Sequence, residues 1–315
     1  MNIKQSQNTT LLQQVDLVIE SFQQQKPVTL QTSGTTGPPK RFLKDLQSPF
    51  AKKRGGNTND VWLLTYSPKR WAGISVILHS LKFNCRLIVP ETLSFKDILF
   101  ALVKLEPTHV GLTPSMFRNL LLNDVEKQLT KVMLKQITFG GEAATQSVLD
   151  LAKSIWPQAR ITHVYASTEF GDICAVSDGQ EGIPIHKFDG FKFSAEGELI
   201  INDIPSGDFW ERRKDRYYFL SRKEEVINVG GNKVNPLEIE EIALQAGVKL
   251  AKVYGVKSPV MGNLVALDYV GEIDEVELKN ILRQQLPKWA YPVKIKRCQQ
   301  IALSAAGKMV RKEDK

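Results

Sequence analysis

The sequence predicts an α/β fold, with a large N-terminal α/β domain that includes a small β-rich subdomain, followed by a small C-terminal α+β domain. Three observations predict it. Short apolar, β-branched runs alternate with helical ones over the first half, the pattern of a mostly parallel sheet covered by helices. Near residue 188 the pattern changes to short strands and turns. Beyond residue 224 a second set of strands and helices makes a tail long enough to fold alone. The expected domains are therefore residues 1–223 and 224–315, with charge interrupting the apolar runs at 222–225.

The elements follow in order. Leu11, Val15, Val18, Ile19 and Phe22 fall at helical spacing and give an amphipathic helix before the first strand. Residues 27–30 (PVTL) read as that strand, and residues 51–60 (AKKRGGNTND) as a polar loop. Strand-like runs at 61–66, 86–89, 109–112, 136–139 and 160–165 alternate with helical segments at 74–81, 95–104, 117–122 and 147–155. Residues 197–201 (GELII) represent the β-rich part. In the tail, a helix over 236–245 starts with an early proline, strands are expected over 249–256 and 264–270, and a helix over 276–286.

Composition bounds the rest. The chain has 315 residues, 42% hydrophobic and 24% charged, as ordinary globular proteins do. No basic-then-apolar leader opens it and no apolar run approaches a membrane span. The three cysteines, Cys85, Cys174 and Cys298, are far apart and suggest neither a disulfide framework nor a metal cluster. The expected compartment is the cytoplasm. A net charge of +8 suits phosphate-bearing small molecules, whereas no basic run with interleaved aromatics points to nucleic acid.

Residues 32–40, TSGTTGPPK, carry the strongest chemical signal. Glycines let backbone N–H groups approach a phosphate, hydroxyls add hydrogen bonds, and Lys40 adds a mobile charge. It is no Walker A loop, because Pro39 precedes Lys40 and Arg41 follows it. On turn chemistry alone a plain surface turn is the competing reading.

Five further stretches occur in order: FGGE at 139–142, YASTE at 165–169, SGD at 206–208, SRKEEVINVGGNKVNP at 221–236, and AGK at 306–308 with Arg311. With the loop, this series resembles the adenylate-forming superfamily, which comprises acyl-CoA synthetases, aryl-acid ligases, luciferases and the adenylation domains of nonribosomal peptide synthetases. The resemblance implies a two-step reaction. A carboxylic acid attacks the α-phosphate of ATP with Mg²⁺, giving an acyl-adenylate and pyrophosphate. The thiol of CoA, or of the phosphopantetheine arm of an acyl or peptidyl carrier protein, then displaces AMP.

Site roles follow from the resemblance residue by residue. Thr32, Ser33, Gly34, Thr35, Thr36, Gly37 and Lys40 would hold the β- and γ-phosphates. Gly141, Glu142, Ala166 and Ser167 would line the nucleotide site, with Tyr165 stacking on adenine and Thr168 bonding the α-phosphate. Glu169 would ligate Mg²⁺ as a hard oxygen donor. Asp208 would accept the ribose hydroxyls and Arg222 would contact ribose or phosphate. Lys308 would bridge the substrate carboxylate and α-phosphate during adenylation. Glu224 matches the hinge about which a mobile C-terminal domain turns, and Gly230 and Gly231 would line the thiol tunnel.

The chain also departs from the pattern. Typical members carry far more residues ahead of the phosphate loop, so the resemblance covers nearly all of this chain but only the later part of a usual member. A compact enzyme is the favoured expectation; a subunit completed by a partner, or a reduced nucleotide-binding regulator, are the alternatives. Many coenzyme A ligases have a His-x-x-Gly motif, where this chain places Arg70 and Gly73 around Trp71. Arg70 is permanently charged, and either pairs an acidic substrate group or lies at the surface with Trp71 as the acyl-pocket wall. Thr113, Phe139 and Gly140 complete the expected pocket by family position. No aspartate-bearing stretch of the kind that anchors an α-amino group is apparent, which counts against an amino-acid substrate.

Overall fold

The computed structural model describes residues 3–5, 9–31, 41–53 and 55–312. They form two compact units: residues 1–180 with 305–308, and residues 181–304 with 309–315. These units are set by packing. They part after residue 180, whereas the sequence led to a domain boundary after residue 223.

The N-terminal unit is built on a seven-stranded sheet. In chain order its elements are β1 (Ile3–Gln5), α1 (Thr9–Gln23), β2 (Val28–Gln31), β3 (Arg41–Lys44), α2 (Gln47–Lys52), β4 (Val61–Leu63), α3 (Trp71–Lys82), β5 (Arg86–Val89), α4 (Phe95–Lys104), β6 (His109–Leu112), α5 (Pro114–Asn123), β7 (Gln136–Gly140), α6 (Gln146–Ile155), β8 (Arg160–Ser167) and β9 (Gly171–Val176). The strand order is β1-β5-β4-β6-β7-β8-β9, parallel except for β9, which returns antiparallel at the edge. Strand β6 is buried at every position, the mark of a sheet covered on both faces. The helix expected from Leu11, Val15 and Val18 packs that stripe against Trp62, Leu64, Ile74 and Ile77.

The strand expected over residues 27–30 is present as β2, and it lies outside the main sheet. β2 pairs antiparallel with β3, from Val28↔Lys44 to Gln31↔Arg41, in a two-stranded ribbon. The half-polar alternation of β3 explains this, since one face stays exposed, unlike the buried strands of the main sheet.

The C-terminal unit holds two sheets. β10 (Ile183–Pro184), β11 (Lys192–Phe193), β12 (Glu198–Ile201), β13 (Ile204–Arg213) and β14 (Arg216–Arg222) form one in the order β10-β14-β13-β12-β11. β15 (Ile227–Val229), β16 (Asn232–Val234), α7 (Pro236–Gln245), β17 (Leu250–Ser258), β18 (Gly262–Val270), α8 (Glu275–Gln285) and β19 (Lys294–Arg297) complete it. Here β17 and β18 make a long hairpin, and both helices pack on one core that includes Ile239, Val253, Leu267, Leu278 and Leu282. Asp274 caps α8 by accepting from the Val276 and Glu277 amides, and Asn235 caps α7 through the Leu237 amide.

Candidate functional site

In a parallel sheet, ligands bind beyond the carboxyl ends of the strands. The N-terminal unit gathers chemistry-bearing residues at that edge: Thr113 after β6, Gly141 after β7, Tyr165 near the end of β8, and the 168–170 turn joining β8 to β9.

Thr113 caps α5, its Oγ1 accepting from the Met116 amide at 3.0 Å and donating to the Gly307 carbonyl at 2.5 Å. Gly141 follows with φ +83°, and a β-carbon there would lie 3.1 Å from Lys308 Cε and 3.5 Å from Thr113 Cγ2. The absent side chain leaves the room that Lys308 occupies. A lysine far along the chain thus stands at the carboxyl end of β7, with its ammonium group 3.8 Å from that same point.

Glu142 accepts from the Ser115 amide at 3.0 Å, placing an anion at the N-terminus of α5. Tyr165 and Ala166 lie half-buried on β8 opposite Cys174 and Asp172. Ser167 Oγ accepts from the Phe170 amide at 3.0 Å, which shapes the turn carrying half-buried Thr168 and exposed Glu169. Lys44 holds this turn from β3, donating to the Glu169 carbonyl at 2.9 Å while its ammonium sits 5.1 Å from the Trp71 ring centroid. Desolvation lowers the Lys44 pKa, against the opposing pull of Glu169 and Asp172.

The expected acyl-pocket residues have mixed placements. Trp71 is buried, and Gly73 packs so closely that a β-carbon would meet the Ser67 carbonyl at 2.3 Å. Half-buried Arg70 precedes α3. Gly140 ends β7 against Val164, whereas Phe139 has no exposure and packs 5.4 Å from Phe117. Phe139 is a core residue rather than an open wall.

Sequence reasoning missed Asp172. Its Oδ1 accepts from the Trp71 indole at 2.9 Å, and its Oδ2 meets Lys53 at 2.6 Å and Ser75 at 3.2 Å. Burial pushes the carboxyl up, but the Lys53 charge and these hydrogen bonds more than offset it, holding the pKa below the ordinary range. Position 172 stands only three residues past Glu169, yet its partners come from α3 and from the residue just after α2, so no local signal announces the cluster.

The C-terminal unit holds the rest. Asp208 is buried, and its Oδ1 accepts from Arg222 Nε at 2.9 Å across the β13–β14 pair. Gly207, at φ +76°, is a local irregularity within β13, with Glu198 accepting its amide. Glu224 follows β14. Gly230 and Gly231 are the two residues of the β15–β16 turn, at φ +56° and +91°, since Val229 pairs with Asn232. Turn chemistry alone calls for glycine at both. Thr32, Ser33, Gly34, Thr35, Thr36, Gly37 and Lys40 lie outside the described residues.

The donor set fits a nucleotide and Mg²⁺. The Gly141 recess beside Lys308 is a cradle that a side chain would fill. Among the described residues no group of three or more His, Cys, Asp or Glu stands ready for a metal. Mg²⁺ held by one carboxylate together with phosphate oxygens needs no such cage, and exposed Glu169 suits that mode.

Comparison with known proteins agrees with this geometry. The chain is 35% identical over 124 residues to a 3,4-dihydroxybenzoate--[aryl-carrier protein] ligase of Bacillus anthracis, covering 38% of this chain and 30% of that protein. It is 24% identical over 343 aligned positions to a 2-succinylbenzoate--CoA ligase of Bacillus cereus, covering 93% of this chain and 70% of that one. Among solved structures, the anthranilate CoA ligase AuaEII with anthranoyl-AMP aligns at TM-score 0.75 and 15% identity, over 91% of this chain and 66% of that one. The Bacillus subtilis O-succinylbenzoate coenzyme A synthetase with ATP and magnesium aligns at TM-score 0.66 and 19% identity, over 90% and 68%. The chain thus spans about two thirds of the length of these structures and less than a third of the aryl-carrier ligase. Residues 4–189, well over half the chain and nearly all of the unit that gathers Lys308 beside Gly141, match the AMP-binding enzyme family, and the chain belongs to it.

Proposed function

We propose that this chain is an AMP-forming carboxylic acid–thiol ligase that makes an acyl-adenylate and then a thioester. The observation that carries the reading is Lys308 beside Gly141 and Thr113, at the same sheet edge as Tyr165, Thr168 and Glu169. A carboxylate oxygen attacks the α-phosphorus of ATP and the bond to pyrophosphate breaks. Lys308 offsets the charge shared by the attacking carboxylate and the α-phosphate and keeps them together. Thr168 donates to the α-phosphate, and Tyr165 gives adenine a flat face. Asp208, supported by Arg222, accepts the ribose hydroxyls. Mg²⁺ would be held by Glu169 and neutralises phosphate charge when bound.

In the second step a thiol sulfur attacks the acyl carbonyl, the thiol proton is lost to solvent or a base, and AMP leaves. CoA or the phosphopantetheine arm of a carrier protein is the acceptor, reached past Gly230 and Gly231 as the small domain turns about Glu224. The relatives named above act on aryl and succinylbenzoate-type acids, which makes such acids the first substrates to try. The cytoplasm is the proposed compartment; Cys85, Cys174 and Cys298 form no disulfide with one another, and among the described residues no helix is long and apolar enough to cross a membrane.

ATP–pyrophosphate exchange by the purified chain, with Mg²⁺ and a panel of aryl, acyl and amino acids, tests the reading. Exchange with an aryl or acyl acid supports it and identifies the substrate. ATP binding with no exchange across the panel overturns it in favour of a nucleotide-binding regulator or a subunit that requires a partner.

A further inference from the structure

The last described residues are fastened with unusual care. Leu303 and Met309 pair through an isolated antiparallel bridge, so residues 304–308 form a short loop closed at its base. Gly307, at φ +70°, makes the turn ahead of Lys308. Beyond the bridge, the Arg311 guanidinium binds two carboxylates. Its Nε and Nη2 donate to Glu240 Oε1 and Oε2 at 3.0 and 2.7 Å, and its Nη1 donates to Glu225 Oε2 at 2.9 Å. The three side chains are only 13%, 9% and 20% exposed. Glu240 Oε1 also accepts the Val253 amide at 2.9 Å. One residue on, the Lys312 carbonyl accepts from Lys252, itself paired with Asp268 at 3.2 Å and almost fully buried.

Stability alone is a poor reason for this knot. Helix α7 and strand β17 already bury Ile239, Ala243, Ala251 and Val253 in an apolar core. Ion pairs withdrawn from water roughly cancel their own desolvation cost. What a bidentate guanidinium fork adds is geometry, because two parallel hydrogen bonds fix direction as well as distance. Arg311 lies three residues past Lys308, within about 10 Å of chain, so its placement sets where the loop leaves the C-terminal unit. Glu225, its second partner, immediately follows the proposed hinge residue Glu224.

We infer that Arg311 is a positioning residue for Lys308. Through Glu225 and Glu240 it locks the loop base to the segment after the proposed hinge and to α7, and so fixes the point from which the loop carries Lys308. This rests on the ligase reading. Lysine at 311 cannot replace the fork, since one ammonium does not grip two carboxylates in fixed directions.

The test uses full-length Arg311→Ala and Arg311→Lys, the latter retaining the charge should the former fold poorly. Two half-reactions are measured: ATP–pyrophosphate exchange, and thioester formation from preformed acyl-AMP. A misplacement of about 1 Å costs on the order of 100-fold in rate, so adenylation should fall by about that factor in both variants. Thioester formation should stay within about 2-fold, and Arg311→Ala combined with Lys308→Ala should be no slower than Lys308→Ala alone. Equal losses in both half-reactions, or losses that multiply in the double variant, overturn the inference. Hydrogen exchange separates its failure from that of the ligase reading. Faster exchange across residues 303–309 in Arg311→Ala, with α8 unchanged, supports the knot even when no acid is activated; unchanged exchange there overturns it.

Discussion

At the scale of single residues, Lys308 and Gly141 are the pair on which the proposed chemistry turns. Lys308→Ala should cut ATP–pyrophosphate exchange by about 100- to 1,000-fold, the usual cost of removing a charge that stabilises a transition state. Thioester formation from added acyl-AMP should survive. Comparable loss of both steps in a folded variant would place Lys308 elsewhere in the mechanism. Gly141→Ala carries two penalties, a left-handed backbone costing about 1–2 kcal/mol and a methyl group 3.1 Å from Lys308 Cε. Denaturant unfolding should report the first, and the exchange assay a further loss of adenylation from the second. Lys308 was legible in the sequence only as part of the AGK motif, because a lysine in a basic tail otherwise reads as solvated. Asp172 was not legible, because its partners Lys53, Trp71 and Ser75 are distant in sequence.

At the scale of elements, the β15–β16 hairpin is where a local rule and a proposed functional motif overlap. Its two turn residues both need positive φ, which the Gly230-Gly231 pair supplies. Replacing either by alanine should destabilise the fold by about 1–2 kcal/mol, read as a lower urea midpoint at unchanged slope. Gly230→Ala should be little worse than Gly231→Ala, because the Met261 methyl group 2.4 Å away ends a flexible side chain that can swing aside. Gly231→Asn should be milder than Gly231→Ala, since asparagine tolerates the left-handed region. Equal damage from Ala and Asn would show that space, not backbone strain, governs the turn. The helices were largely legible from periodicity and caps. The β2–β3 ribbon was not, since the sequence marks a strand there but not its partner.

For the molecule as a whole, acid is the informative perturbation. His79 packs its ring 5.0 Å from Trp62 and 4.7 Å from Phe83, and its Nε2 is buried with no hydrogen-bond partner. Desolvation, helped by the charge on Lys53, lowers its pKa from the ordinary 6.5 to about 4. The unfolded chain therefore binds a proton below pH 6.5 that the folded chain refuses until about pH 4. The contribution is intact above pH 6.5 and is lost progressively as pH falls towards 4, on the order of 3 kcal/mol in all. Denaturation between pH 7.5 and 4.5 should show that loss in the native chain and a shallower one in His79→Leu. Identical slopes would rule out His79 as the source.

By itself the sequence determined the α/β class, most helices and parallel strands, and the ordered motifs that mark the family. These are local in their physics: periodicity, caps, turn glycines and short runs that read without reference to distant residues. Only the tertiary structure decided that the strand before the phosphate loop pairs outside the main sheet, that Phe139 is core, and that Asp172 is tied to Trp71 and Lys53. It also brought Lys308 to the end of β7 and fastened the chain behind it through Arg311. Such placements join residues far apart along the chain, and their energies depend on contacts that form only once the core has packed.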